Sequence, residues 1–172
     1  MAVRLRTPLS GEGVIKLKAG DIVHLSGTIY TARDSAHGKI LSLSPEELPF
    51  NPRGTVIYHC GPVVRKTPRG WEVVSAGPTT SARMNRYLGE ILPLGIRGII
   101  GKGGMDSEPF KGRAVYFAFT GGAGSLAAES IKRVRAVHWL DELGIPEAIW
   151  VLEVEDFPLV VAIDAHGSSL YR

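Results

Sequence analysis

The sequence predicts a strand-rich mixed α/β fold, and three observations carry that expectation. Short apolar runs rich in β-branched residues recur along the chain, the clearest at residues 114–120. Segments with helical character fall between these runs instead of following one another. Glycine (21) and proline (11) are scattered as punctuation and form no linker, so residues 1–172 are expected to make one domain of many short elements.

Taken in order, residues 3–8 read as an edge strand and residues 12–18 as one or two helical turns closed by Gly20. Residues 21–30 alternate apolar and polar side chains, the period of a strand, with a bulge expected at Gly27. Asp34 is placed to cap a helix beginning near Ser35 and running towards Leu43. Residues 55–59 and 71–76 are short strands with the Thr67-Pro68-Arg69-Gly70 turn between them. Thr79 or Thr80 is expected to cap a helix over residues 81–92, stopped by Pro93 and Gly95.

Residues 98–100 form a buried strand leading into Gly101-Lys102-Gly103-Gly104, and the 114–120 strand empties into Gly121-Gly122-Ala123-Gly124. A helix is expected over 125–130, either strand or helix over 134–140, and two strands at 149–155 and 159–164, split by Pro158.

The chain of 172 residues is long enough to bury a core without covalent staples. Twenty Lys and Arg against seventeen Asp and Glu give a formal charge of only +3, with no polybasic run, so charge implies no nucleic-acid partner. The single cysteine, Cys60, cannot form an internal disulfide or a cysteine-ligated metal cluster by itself, and its apolar setting suggests a buried structural thiol. The start carries no apolar signal region, and no run is long enough to span a membrane, so a soluble cytoplasmic protein is expected.

Three turns set a cation among glycines or hydroxyls: Thr31-Ala32-Arg33-Asp34-Ser35-Ala36-His37, Gly77-Pro78-Thr79-Thr80-Ser81-Ala82-Arg83-Met84, and Gly101-Lys102-Gly103-Gly104-Met105. Arg83 falls one helical turn beyond Thr79 and Thr80, where a planar guanidinium and the unpaired N–H groups of a helix start would both suit a carboxylate. Lys102 follows directly on a strand, a position that favours ligand contact. The P-loop spacing fails at Ile96 and Gly103, and the dinucleotide fingerprint fails at Asp106. Together Arg33, Arg83 and Lys102 would neutralise a dicarboxylate with one charge to spare. His37 is the one candidate general base near neutrality, with Asp34 beside it as a possible support. Singly, each turn also fits a plain reading, with Thr79 a cap and Lys102 a solvated turn residue.

In this order and spacing the three segments resemble the β subunit of two-subunit class I fumarases. They are also similar to L-tartrate dehydratase β subunits and to the C-terminal domain of single-chain class I fumarases. The resemblance extends to Leu17-Lys18-Ala19-Gly20-Asp21, to Tyr58-His59-Cys60-Gly61-Pro62, and to Glu153-Val154-Glu155-Asp156-Phe157-Pro158 with Ile163, Asp164 and Gly167. It implies a swivelling β/β/α fold and reversible hydration of fumarate to L-malate. A [4Fe–4S] cluster would be carried by a separate α subunit, in an α2β2 assembly. Arg33, Thr79, Thr80, Arg83 and Lys102 would bind the dicarboxylate, and Thr79 would also move the C3 proton with help from Lys102 and Arg83.

Dehydration of L-tartrate by the same chemistry is the neighbouring alternative, with fumarate preferred here. A non-catalytic interaction subunit whose basic turns bind an anionic effector is the alternative of a different class. A nucleotide module is weakened by the failed spacings.

Overall fold

A barrel forms because five strands can close on one another while burying one face of each. The computed structural model describes residues 2–119 and 124–171. The strands are β1 (Val3–Arg6), β2 (Ile22–Thr31), β3 (Val56–Tyr58), β4 (Val63–Thr67), β5 (Gly70–Ser75), β6 (Gly98–Gly101), β7 (Val115–Ala118), β8 (Ile131–His138) and β9 (Ile149–Ile163). The helices are α1 (Gly11–Lys16), α2 (Asp34–Ser42), α3 (Asn85–Ile91), α4 (Gly124–Ser130) and α5 (Leu140–Leu143).

Strands β2, β3, β6 and β7 pair in parallel, and β9 runs antiparallel to both β7 and β2, closing a five-stranded ring. β1 adds outside the ring on β2, and β8 adds on β9. β4 and β5 form a separate hairpin. Mixed α/β, strand-rich architecture is thus as expected, and the closure gives the ring no free edge.

Period-two alternation divides the ring strands between two apolar layers. Val56, Tyr58, Ile100, Val115, Phe117, Trp150 and Leu152 point into one core, while Ile57, Ile99, Tyr116 and Ile149 pack on the other with Ala36, Ile40, Leu88 and Ile91 of the outer helices. Because β2, β3, β6 and β7 are parallel, the segments that follow them all emerge at one end of the barrel. That end receives Arg33, His59, Lys102 and, through the segment after β5, Thr79 and Arg83.

Several expected elements shift. α1 is capped by Ser10, whose hydroxyl accepts from the Gly13 amide at 3.0 Å, so it starts and ends earlier than the 12–18 reading. β4 is a strand that none of the expected elements covers. The 134–140 ambiguity resolves as a strand, Ile131–His138, followed by α5. Thr120 and Gly121-Gly122-Ala123 lie outside the described residues.

Pro158 does not split the last strand. β9 runs unbroken from Ile149 to Ile163, and Pro158 pairs with His24 of β2. Among the described pairings, β8 takes β9 only up to Val154 and β7 only from Val160, so Pro158 sits where β9 has one neighbour and a missing N–H costs little. The bulge near Gly27 exists, but its extra residue is on β9. Glu155 and Asp156 together oppose Ser26, with Asp156 in the left-handed region (φ 50°) and its amide held by the Ser26 hydroxyl at 3.0 Å.

The helix expected over 81–92 is instead three short pieces: a 3-10 turn at Ser81–Met84, then α3, then a 3-10 turn at Leu92–Leu94 closed by Gly95 in the left-handed region. Neither threonine caps it through its side chain. Thr80 occupies the cap position without a side-chain bond, and the Thr79 hydroxyl is engaged elsewhere. Likewise Asp34 is the first helical residue of α2, and Arg33 holds the cap position.

Candidate active site

Three loops knit the rim together through their backbones. The Thr79 amide donates to the His59 carbonyl (2.7 Å), the His59 amide to Ile100 (2.8 Å), and the Ser81 amide to Lys102 (3.1 Å). Thr80 and Lys102 form a parallel bridge, and Cys60 and Pro78 an antiparallel one. Gly61 approaches Arg33 so closely that a Cβ there would lie 3.1 Å from the guanidinium and 2.7 Å from the Pro146 carbonyl. Arg33, Thr79, Thr80, Arg83 and Lys102 therefore belong to one connected rim, although far apart in sequence.

At its centre the Arg83 guanidinium donates to the Thr79 hydroxyl oxygen at 2.9 Å. A cation donating into that oxygen favours negative charge on it. Asp34 stands 3.8 Å from the other side of Arg83. Arg33 is paired with Glu147 at 3.3 Å, and the same carboxylate accepts from the Ser35 amide at 3.1 Å. The charge arithmetic of the sequence reading is thereby corrected. Three cations are offset by Asp34 and Glu147, leaving one net positive charge on the rim until a ligand competes for the guanidinium groups.

Beneath the rim lies a buried polar layer. His37 is 1% exposed, and its Nδ1 sits 2.7 Å from the Arg33 carbonyl, which can only accept, so Nδ1 carries the proton. Burial lowers the His37 pKa, against the opposing pull of the Arg33 carbonyl, Asp34 and Glu147. The general base near neutrality anticipated at His37 is thus replaced by a buried neutral imidazole. His59 is wholly buried, held far below its ordinary pKa by desolvation and then by His37, and its Nδ1 lies 2.7 Å from the Ser81 hydroxyl. The two rings stand 5.3 Å apart, and Tyr87 stacks on His37 at the same distance.

Asp34 Oδ1, His37 Nε2 and His59 Nε2 are buried without a hydrogen-bond partner among the described residues, and Arg33 Nε meets only the Glu147 carboxylate, in the 3.3 Å ion pair and outside hydrogen-bond geometry. Cys60 is buried, and desolvation pushes its thiol up to about 12, against the pull of Arg33, so it stays protonated. Among the described residues no group of three or more His, Cys, Asp and Glu side chains gathers to hold a metal. No described helix is long and apolar enough to cross a membrane.

A hollow of about 850 Å³ opens at the opposite end of the barrel, lined by Pro45, Phe50, Arg53, Pro93 and Arg97 among others. It brings no hydroxyl, histidine or paired carboxylate near its arginines. The chemistry therefore points to the rim, which is open on its outer side and flanked by exposed Val63 and Ile145 near Gly61 and Pro146.

Across residues 1–172 the chain matches the family described as "Fumarase C-terminus". The chain belongs to this family. The chain is 52% identical over 172 residues to "Putative L(+)-tartrate dehydratase subunit beta" of Methanocaldococcus jannaschii, covering 95% of this chain and 88% of that one. It is 40% identical over 172 residues to "L(+)-tartrate dehydratase subunit beta" of Escherichia coli K12, covering 96% and 85%. To "Putative fumarate hydratase class I" of Geobacillus stearothermophilus it is 43% identical over 176 residues, spanning 99% of this chain but 34% of that longer protein.

Sequence reading missed Glu147, His59, Ser81 and Gly101 at this rim of the fumarase C-terminal domain. His59, Ser81 and Gly101 lie within the three motifs around Cys60, Arg83 and Lys102, and so carried a signal. Glu147 carried none, since nothing local ties it to Arg33.

Proposed function

We propose that this chain is the β subunit of a heteromeric hydro-lyase acting on a four-carbon dicarboxylate, with L(+)-tartrate as substrate and oxaloacetate as product. The observation that carries the reading is the Thr79 hydroxyl held by Arg83 beside Lys102, on a rim assembled from parallel-strand ends. The subunit names of the full-length relatives favour tartrate over the fumarate expected from the motifs alone. Hydration of fumarate to L-malate is the second reading, supported by the likeness to the class I fumarate hydratase relative. The five-stranded ring with outer helices is assigned to the swivelling β/β/α class.

In this reading one substrate carboxylate displaces Asp34 from Arg83 and is met by Arg83 and Lys102, and the other is met by Arg33. The Thr79 hydroxyl first gives up its proton, the resulting alkoxide takes the C3 proton, and the C2 hydroxyl leaves as hydroxide that the released proton converts to water, giving the enol that tautomerises to oxaloacetate. Arg83 and Lys102 would stabilise both the Thr79 oxygen and the charge that develops on the adjacent carboxylate. Threonine is a weak base, so the cations around it are essential to the role. The residues of this chain do not fit a [4Fe–4S] cluster: the one thiol is buried and protonated. The cluster, and with it the activation of the leaving hydroxyl, is assigned to an α partner that covers the open side of the rim in an α2β2 assembly.

Anaerobic co-expression with a cysteine-bearing α subunit tests this. The pair is expected to dehydrate L(+)-tartrate, and the chain alone to be inert. Turnover of malate and fumarate but not tartrate would establish the second reading. No turnover of either diacid, with anion binding retained, would make the chain a non-catalytic anion-binding subunit.

A further inference from the structure

His59 and Ser81 take no part in the steps above, yet they sit at the junction of all three loops. The His59 main chain donates to Ile100 and accepts from Thr79, and the Ser81 main chain donates to Lys102. Their side chains join at 2.7 Å in the interior, both fully buried. The slot that houses this contact is made by Gly101. A Cβ on residue 101 would lie 1.7 Å from the Ser81 oxygen and 3.3 Å from His59 Nδ1. The ring is costly where it is, because its Nε2 is buried without a partner. A hydrophobic ring would fill the space without that cost, so the Nδ1 contact is the feature that distinguishes histidine here.

We propose that the His59–Ser81 hydrogen bond, seated in the Gly101 slot, is a positioning device that fixes the Thr79 hydroxyl for proton transfer. Residues 79 and 81 straddle the rim: the backbone bond to His59 holds one side of Thr79, and the side-chain bond holds the residue two positions on. With both in place the Thr79 hydroxyl cannot rotate away from Arg83 as the loop breathes. Misplacement by about 1 Å at such a group costs on the order of 100-fold in rate. The inference rests on the reading of the rim as a proton-transfer site, and it deepens that reading by naming what holds the reacting oxygen.

The test uses the anaerobic αβ complex and two replacements that differ in reach. In His59→Asn the amide takes the place of Nδ1, whereas in His59→Gln it falls where Nε2 stood. His59→Asn is expected to keep kcat within about threefold of wild type, and His59→Gln and Ser81→Ala to lose about tenfold or more. KM should change little, because Arg33, Arg83 and Lys102 still meet the carboxylates. Amide hydrogen exchange of residues 77–84 provides a readout independent of turnover, and it should be faster in His59→Gln than in His59→Asn. Equal kcat and equal exchange in the two variants, or wild-type kcat in Ser81→Ala, overturns the proposal. If the wild-type complex turns over neither tartrate nor malate, the functional reading fails instead, and the exchange comparison alone decides the positioning claim.

Discussion

Two buried polar clusters sit at strand ends of this barrel, and they are satisfied to opposite degrees. After β9, the Asp164 carboxylate accepts from the amides of Ala19 (2.9 Å), His166 (2.9 Å) and Ser168 (3.0 Å). Burial acts to raise its pKa, but the three amides and the nearby His166 outweigh it and leave the carboxyl below its ordinary value. After β2 and β3, the Arg33–Asp34–His37–His59 group leaves three buried polar atoms, Asp34 Oδ1, His37 Nε2 and His59 Nε2, without partners among the described residues. A fully paired buried charge staples the chain, here tying the end of β9 to the α1–β2 turn. An under-paired cluster costs stability, and its retention points to a task beyond folding.

The largest expected effect breaks the under-paired side of that contrast. Thr79→Ala should lower kcat of the αβ complex by about 100- to 1,000-fold with KM nearly unchanged, as for a group acting only in the transition state. Steady-state kinetics with L(+)-tartrate check this. Unchanged kcat would remove Thr79 from the chemistry. Next, Arg83→Lys should reduce kcat/KM by about tenfold or more, affecting both parameters, because an ammonium cannot hold a carboxylate and the Thr79 oxygen in one planar fork.

Changes to packing and pairing come next in size. Gly101→Ala should destabilise the chain by about 1–3 kcal/mol through overpacking against Ser81. In the Gly101→Ala/Ser81→Ala double variant part of that loss should return, since the oxygen 1.7 Å from the new Cβ is gone. Urea unfolding of the four proteins measures the coupling, and strict additivity would mean the slot is not tight. On the paired side, Asp164→Asn should cost roughly 1–3 kcal/mol, the range for leaving buried donors without their charged acceptor, and should leave kcat alone.

The smallest effects separate the two clusters by pH. The native pKa values of His37 and His59 are lowered, so below about 6.5 the unfolded chain takes up protons that the native one refuses, and stability declines from there downward. Asp164 is shifted the other way in consequence. Its contribution is complete above the ordinary carboxylate value of about 3.9 and is lost as pH falls through its lower native pKa. Urea midpoints between pH 7.5 and 3 should therefore show a first decline that His59→Asn reduces and a later one that Asp164→Asn removes. A single decline insensitive to His59 would contradict the buried neutral pair.

Strands with strong alternation were legible in the sequence because burial on one face dictates their pattern. β2 shows it plainly, whereas β3, β6 and β7 are short apolar runs buried along nearly their whole length. β4 was not legible: Val-Val-Arg-Lys-Thr packs off the barrel with most of its residues exposed or half-exposed, so no burial period marks it. Pro158 misled because its tolerance depends on which neighbours β9 has at that point, a property of the ring and not of the segment. At the rim, the hydroxyls and cations could be read from turn chemistry. The carboxylates that offset them could not, because Glu147 reaches Arg33 only through the fold.

Which end of the barrel receives the diacid decides whether the Thr79 rim is the active site. The structure of the αβ complex with bound L(+)-tartrate measures it directly. A substrate carboxylate oxygen about 2.7–2.9 Å from the Arg83 guanidinium, with C3 facing the Thr79 hydroxyl, is the result expected. Tartrate seated instead among Arg53, Pro93 and Arg97 at the far end of the barrel, with the Thr79 rim bare, would contradict it.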